Sequence, residues 1–372
     1  MRIGIDARMF GPKAATGIGS YIMNLTQNLF IIDEKNEYFL FMNEPAYSEF
    51  LTPNNRVHKI KVNLPWYSLV EQIKFPFILL KYHLDLVHFP HFNAAFLYPK
   101  KFIVTIHDIT PFFFPGPLVK KSWVRRLGYK LVFNLSIRRA KKIIVISHHT
   151  EENIIKYFKA KKKKINLTYL GLDSTVKKIE SQRDLDDFKL KHGLTKPYLF
   201  YVGVWRDHKN VTGLIKAFNI LKADQGIDCQ LVLGGNYDPR FPEVKSAIDQ
   251  SKFKSDIILP GFISQAELSF YYSAAKIFVL PSFCEGFGLV ALESLACGVP
   301  VAGSNTTSLP EIIDGAGIYF DPRDPKDIAE KINQLFSNHN LYSSLKNQGF
   351  SVLLNYTWHS CAEKTLDVYQ SS

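Results

Sequence analysis

The stretch Lys276-Ile-Phe-Val-Leu-Pro281-Ser-Phe-Cys-Glu285-Gly-Phe-Gly288-Leu-Val-Ala-Leu-Glu293-Ser-Leu-Ala296 changes character halfway along. Its opening apolar run is the length of a buried strand and stops at Pro281. Gly286 and Gly288 then free the backbone for a turn, and Leu289 to Ala296 reads as a helix, apolar enough to be buried except at Glu293. A strand that turns through glycines into a helix is the building unit of a parallel α/β sheet, and unpaired amides at such a helix start can face an anion.

The same alternation runs outward in both directions. Towards the amino terminus, the second half begins with a strand in YLFYVG and continues with a helix from Val211, then QLVLGG, a helix, IILPG and a helix. After Ala296 come the strands VPVAG and GIYF. The first half predicts strands near Arg2 to Asp6, Tyr38 to Met42, Val57 to Val62, Leu86 to Phe89, Phe102 to Ile106, Ile143 to Ile146 and Asn166 to Tyr169. Its long helices are expected from Ile18 to Phe30, around Leu69 to Leu80 and from Leu118 to Arg139. Two doubly wound α/β units account for this rhythm. Between them Leu170 to Thr195 is polar and charged, a linker with room for a short helix. The expected division is a first domain over residues 1–175, a second over 176–355 and a closing segment over 356–372.

Composition excludes several classes. With 46% hydrophobic and 22% charged residues the chain is neither disordered nor fibrous. Cys229, Cys284, Cys297 and Cys361 are too scattered for a zinc site or a disulfide framework, which favours a reducing cytoplasm. Asp6 interrupts the first apolar stretch, unlike a secretory signal, and Lys74, Lys81 and His83 break up the most apolar region, Trp66 to Phe92, so any membrane contact is expected to be peripheral. The net charge of +12 is uneven: residues 1–180 hold 28 basic and 13 acidic side chains, the rest 18 and 21. A basic first half suits an anionic partner, although a solubilising surface would look the same.

Four loops carry residues suited to chemistry. Glu285 lies in the turn of the opening stretch and Glu293 two helical turns further on. A buried carboxylate needs hydroxyl donors or cations, which a ribose diol would supply, although acids near a helix start also simply complement its dipole. Tyr201-Val-Gly203-Val-Trp-Arg206-Asp-His-Lys209-Asn210 joins a strand to a helix, with two cations placed to neutralise a diphosphate leaving group or merely to face water. His107-Asp108 follows strand FIVTI, where a histidine can bond a sugar hydroxyl or a phosphate oxygen, or serve structure alone. Gly11-Pro-Lys13-Ala-Ala-Thr16-Gly17-Ile-Gly19 does not fit the dinucleotide fingerprint, which argues against an NAD-dependent oxidoreductase.

The loop from Glu285 to Glu293, continued by Gly298-Val-Pro300 and Ser308-Leu-Pro310-Glu311, resembles the EX7E region of retaining glycosyltransferases of family 4 (group 1), whose architecture is GT-B: two facing Rossmann-like domains with parallel sheets and an interdomain cleft. The resemblance implies that Glu285 contacts hydroxyls of the donor sugar and Glu293 the nucleotide ribose, while backbone groups of Gly286, Phe287, Gly288 and Leu289 approach sugar and diphosphate. Arg206 and Lys209, beside Gly203, become the leaving-group clamp. His107 matches the family's His-Asp segment, and Gly17 and Gly19 its first-domain glycine loop. Phe262 and Ile263 match a segment whose main chain meets the base, and the last helix is expected to cross back to the first domain. No cofactor or metal is implied, and the chain has no DxD-like cluster near the donor loops.

By the same resemblance the HFPHF and TIHDI segments point to bacterial mannosyltransferases of surface polysaccharide assembly. GDP-mannose is then the favoured donor over UDP-sugars, and a glycan or lipid-linked molecule the acceptor. The segment Pro117 to Lys130, which holds Lys120, Lys121, Arg125 and Arg126 among Trp123, Leu127 and Tyr129, mixes cations and apolar residues as an interfacial helix does; with Arg138, Arg139, Lys141, Lys142 and Lys161 to Lys164 it suggests an anionic membrane surface at the inner face of the cell membrane, although a solvated face would read the same. Alternatives are a nucleotide-sugar epimerase, which would consume no acceptor, and a noncatalytic sugar- or nucleic-acid-binding protein, which would not need the glutamates and cations together; no nucleic acid is expected.

Overall fold

The computed structural model describes residues 1–11, 17–116 and 122–372. Lys13, Thr16, Lys120 and Lys121, singled out in the sequence, lie outside the described residues. The chain divides into two compact units, Met1–Gly171 with Thr357–Ser372, and Leu172–Tyr356.

The first unit is built on seven parallel strands: β1 (Arg2–Asp6), β2 (Glu37–Met42), β3 (Val57–Lys61), β4 (Leu86–Phe89), β5 (Phe102–Ile106), β6 (Lys142–Val145) and β7 (Ile165–Leu167). Their order is β3-β2-β1-β4-β5-β6-β7. Helices α1 (Gly17–Ile32), α2 (Leu69–Leu80), α3 (Trp123–Arg139) and α4 (His148–Phe158) connect them. The described part of α3 starts at Trp123, where the Ser122 side chain accepts a hydrogen bond from the Arg125 amide.

The core of this unit is rich in phenylalanine, with Phe75, Phe89, Phe102, Phe133 and Phe158 buried together. Each such ring contributes about 1.5–3 kcal/mol by leaving water.

The second unit carries β8 (Tyr198–Val202), β9 (Gln230–Gly234), β10 (Ile257–Gly261), β11 (Ile277–Leu280), β12 (Val301–Ser304) and β13 (Gly317–Phe320), all parallel, in the order β10-β9-β8-β11-β12-β13. Its longer helices are α5 (Gln182–Lys191), α6 (Val211–Ala223), α7 (Pro242–Asp249), α8 (Gln265–Ala274), α9 (Leu289–Ala296), α10 (Pro325–Ser337) and α11 (His339–Leu353). The closing helix α12 (Trp358–Gln370) belongs to the first unit, where Tyr21 of α1 lies near Trp358 and the Tyr369 hydroxyl bonds His88.

Both sheets are the Rossmann-like α/β type that the sequence predicts. In each, connections run outward in opposite directions from one pair of central strands, β1 and β4 in the first and β8 and β11 in the second. That reversal opens a crevice at the carboxyl ends of the pair, where ligands of open α/β sheets bind. Among the described residues no helix is long and apolar enough to cross a membrane.

Candidate active site

The loops after β8 and β11 meet at the crevice of the second unit. Lys209 ends the first loop and Glu285 sits in the second, and the Lys209 Nζ donates to both Glu285 oxygens at 2.7 and 2.8 Å. The Ser282 hydroxyl donates to Glu285 Oε1 at 2.6 Å, while the Glu285 amide donates to the Thr307 hydroxyl at 3.1 Å. Ser308 donates to the carbonyls of Glu285 and Phe287, both at 3.1 Å. The carboxylate is nearly buried, and the cation and hydroxyl offset its desolvation.

Asn210 ties the two loops together. Its side-chain amide donates to the carbonyls of Pro281 and Pro322 at 3.1 and 2.7 Å. The Phe283 amide donates to the His208 carbonyl at 2.8 Å. Burial, with Lys209 next to it, lowers the His208 ring to about 4, so it is neutral at pH 7.

The turn into α9 depends on Gly288, the N-cap residue, at φ 103°. A Cβ there would lie 2.7 Å from a Leu309 methyl, so both backbone and space call for glycine. Among the described residues no side chain caps this helix; the Ala291 amide turns back onto the Gly288 carbonyl at 2.9 Å, and a helix start of this kind suits an anion. Gly235, after β9, is equally constrained: at φ 117° its Cβ would come within 2.1 Å of the Gly203 carbonyl oxygen, which lets the chain pass close beside the β8 loop.

Glu293 lies further along α9, half-buried. Tyr272 of α8 donates its hydroxyl to Oε2 at 2.8 Å. Burial raises the carboxyl to about 7, with Asp173 adding to the rise and the tyrosine opposing it. Among the described residues Glu293 thus has one donor and no cation, an arrangement that a ligand with further hydroxyl donors would complete.

The other residues named from the sequence divide clearly. Arg206 is exposed on the β8 loop. Phe262 is exposed after β10, while Ile263 is buried towards Gly234. The Phe287 ring is buried near Tyr356, so its backbone is what the turn presents.

In the first unit His107 follows β5. Its Nε2 donates to the Pro90 carbonyl at 2.8 Å, and its ring meets Tyr21 edge-on at 4.7 Å. Burial lowers its pKa, against the opposing effects of the Pro90 bond and Asp108, which favours a neutral ring with Nδ1 as acceptor. Gly17 and Gly19 open α1, Gly19 being buried.

Sequence reasoning overlooked the partners that complete these sites. Tyr272 and Thr307 carry no signal beyond their residue type, while Ser282 and Ser308 lie within the quoted stretches without a role being assigned to them. In the first unit, Arg8 is buried between Asp6 and Glu71: Nη2 meets Asp6 at 2.8 Å and Nη1 meets Glu71 at 2.9 Å, and Asn93 donates to the same Glu71. The Asp6-Ala7-Arg8 run at a strand's carboxyl end was the available clue.

Residues 182–352 match the family profile described as glycosyl transferases group 1, and residues 16–176 the one described as glycosyltransferase family 4. The O-antigen chain mannosyltransferase B of Escherichia coli is 27% identical over 369 residues, which is 95% of this chain and 96% of that enzyme. The serotype-specific mannosyltransferase WbdA of Escherichia coli is 26% identical over 283 residues, 72% of this chain but 33% of that longer protein.

Among solved structures, sucrose-phosphate synthase from Thermosynechococcus elongatus superposes with a TM-score of 0.79 at 20% identity, over 100% of this chain and 98% of that one. WaaG, a glycosyltransferase involved in lipopolysaccharide biosynthesis, gives 0.75 at 15% identity over 100% of both chains. These likenesses show the GT-B fold. Between them the two profiles take in both α/β units, and the chain belongs to the group 1, family 4 glycosyltransferases.

Proposed function

We propose that this glycosyltransferase moves mannose from GDP-mannose to a glycan or lipid-linked acceptor, with retention of anomeric configuration and without a metal or other cofactor. The observation that carries the proposal is the Lys209–Glu285–Ser282 cluster beside the uncapped start of α9. A cation, a carboxylate and a helix start without a side-chain cap suit what a sugar diphosphate requires: hydrogen-bond acceptors for sugar hydroxyls and positive charge for the leaving group. The preference for mannose rests on the relative aligned along nearly its whole length, which is a mannosyltransferase.

In this reading the bond between the sugar C1 and the diphosphate oxygen breaks, and its electron pair stays on the diphosphate. An acceptor hydroxyl forms the new bond to C1 on the same face and passes its proton to the departing diphosphate oxygen. Lys209, Arg206 and the backbone from Gly286 to Leu289 neutralise the growing charge. Glu285 receives sugar hydroxyls and fixes Lys209, and Glu293 with Tyr272 receives the ribose. In the first unit His107, neutral with Nδ1 accepting, is the partner of a sugar hydroxyl, and the backbone of Gly17 and Gly19 is offered to a phosphate or the acceptor. Phe262 and Ile263 meet the base.

The enzyme works in the cytoplasm, and its basic first domain rests on the anionic inner face of the cell membrane, where a lipid-linked acceptor would be presented.

A panel of nucleotide sugars tests the donor. GDP-mannose should raise the melting temperature most, and a mannosylated product should form only when an acceptor is supplied, with or without chelator. Stabilisation by a UDP-sugar alone would replace the donor; interconversion of the sugar without acceptor would replace the reaction by epimerisation.

A further inference from the structure

Helix α2 buries polar and apolar side chains together and leaves several large apolar ones facing outward. Its inner face carries Glu71 on Arg8, and Gln72, whose amide donates to the Ala94 carbonyl at 3.2 Å, beside the buried Phe75 and Leu79. Its outer face carries Leu69, Val70, Ile73 and Phe77, with Leu69 85% and Phe77 66% exposed. A surface helix ordinarily turns such residues inward. Lys74 and Lys81 are the outward charges here, and the helix's single acid, Glu71, is buried.

Helix α3 repeats the pattern. Trp123, Val124, Leu127 and Leu131 are exposed, Trp123 by 77%, and Arg125 and Arg126 lie exposed among them, with Lys130 half-exposed. The connections β3 to β4 and β5 to β6 run in the same direction across the sheet, so right-handed crossovers place α2 and α3 on the same face. Phe92 links their surroundings, 6.1 Å from Tyr67 just before α2 and 4.8 and 5.1 Å from Tyr129 and Phe133 of α3. Lys100 to Lys164 holds 17 basic and 3 acidic residues.

We propose that α2 and α3 together form a lipid-binding platform, α2 inserting Leu69, Val70, Ile73 and Phe77 among the acyl chains of an anionic bilayer while Arg125, Arg126 and Lys130 hold its head groups. This deepens the membrane reading above and rests on it. The charge pattern selects the occupant. Apolar side chains interleaved with cations, and no outward carboxylate on either helix, suit anionic lipid. A second copy of this chain would bring Lys74, Lys81 and the α3 arginines against like charges, and self-association across this face is disfavoured.

The experiment is sedimentation of the full chain with phosphatidylcholine vesicles, with and without phosphatidylglycerol, at rising salt. Binding should require phosphatidylglycerol. Arg125→Gln with Arg126→Gln should weaken it about fivefold per cation and flatten its salt dependence. Ile73→Gln with Phe77→Gln should weaken it tenfold or more while leaving the salt dependence in place, with the melting temperature unchanged because both side chains are exposed. Trp205 and Trp358 are buried, so a blue shift of tryptophan emission on vesicles reports Trp66 and Trp123, and Trp123→Phe should diminish it.

Unchanged binding of the Ile73/Phe77 variant would overturn the platform. So would failure of the wild type to bind, or lipid-independent dimers that this variant abolishes. The surface and the transferase reading fail separately: stabilisation by a nucleotide sugar without vesicle binding removes the platform alone, and vesicle binding without any such stabilisation removes the donor reading alone.

Discussion

The Glu293 carboxyl should release a proton when a nucleotide sugar binds. Burial raises it from 4.5 to about 7 with a single hydroxyl donor, so at pH 7 about half the free molecules carry the proton. A ribose diol donating to the same oxygens favours the ionised form and returns the group towards the ordinary carboxylate value. Binding should therefore release about half a proton at pH 7, about nine-tenths at pH 6 and about one-tenth at pH 8. His208, held at about 4, is already neutral in the free protein across this range, and the Glu293→Gln comparison separates its response to the ligand from that of Glu293.

Calorimetry of GDP-mannose binding without acceptor, in buffers of differing ionisation enthalpy, reads this number as a slope. Glu293→Gln should bring the slope near zero. The same shift sets the stability of the free protein. Between pH 4.5 and about 7 the folded state holds a proton that the unfolded chain has lost, so stability falls as pH rises through that window and then levels off. Glu293→Gln should remove that fall. A zero slope in the wild type at pH 7, or an equal slope in the glutamine variant, would refute the ribose assignment.

Lys209→Met should cost about tenfold or more in diphosphate affinity and about 1–3 kcal/mol in stability, because it leaves the Glu285 charge uncompensated; adding Glu285→Gln should recover part of the stability and none of the affinity, as read by denaturant unfolding and calorimetry. Gly288→Ala should destabilise by about 1–3 kcal/mol through its left-handed backbone and the Leu309 contact, and should lower turnover by moving the α9 amides; unchanged unfolding and kinetics would show that the turn tolerates a side chain.

Much of this architecture is readable from local pattern, since strand and helix periods, Gly288 and the boundary residues act over a few positions. The strand near Asn166 to Tyr169 is Ile165–Leu167 in the structure, within the usual fraying of element ends. The partners were less legible. The sequence places Lys209 three residues from Arg206, and in the fold Lys209 also grips Glu285 while Arg206 is exposed. Nothing local announces that pairing, because it joins the ends of β8 and β11, which are neighbours only through strand order.

By itself the sequence determined two parallel α/β units, the glycine turn before α9 and the two glutamates on one strand-turn-helix, because periodicity and glycine geometry are properties of short segments. The tertiary structure alone decided what those carboxylates touch: Glu285 bears Lys209 and Ser282, and Glu293 bears Tyr272. It also decided that α2 buries Glu71 on Arg8 and turns Leu69 and Phe77 outward. Those contacts depend on which crossover lies over which strand, a choice made by packing distant segments rather than by the residues of any one of them.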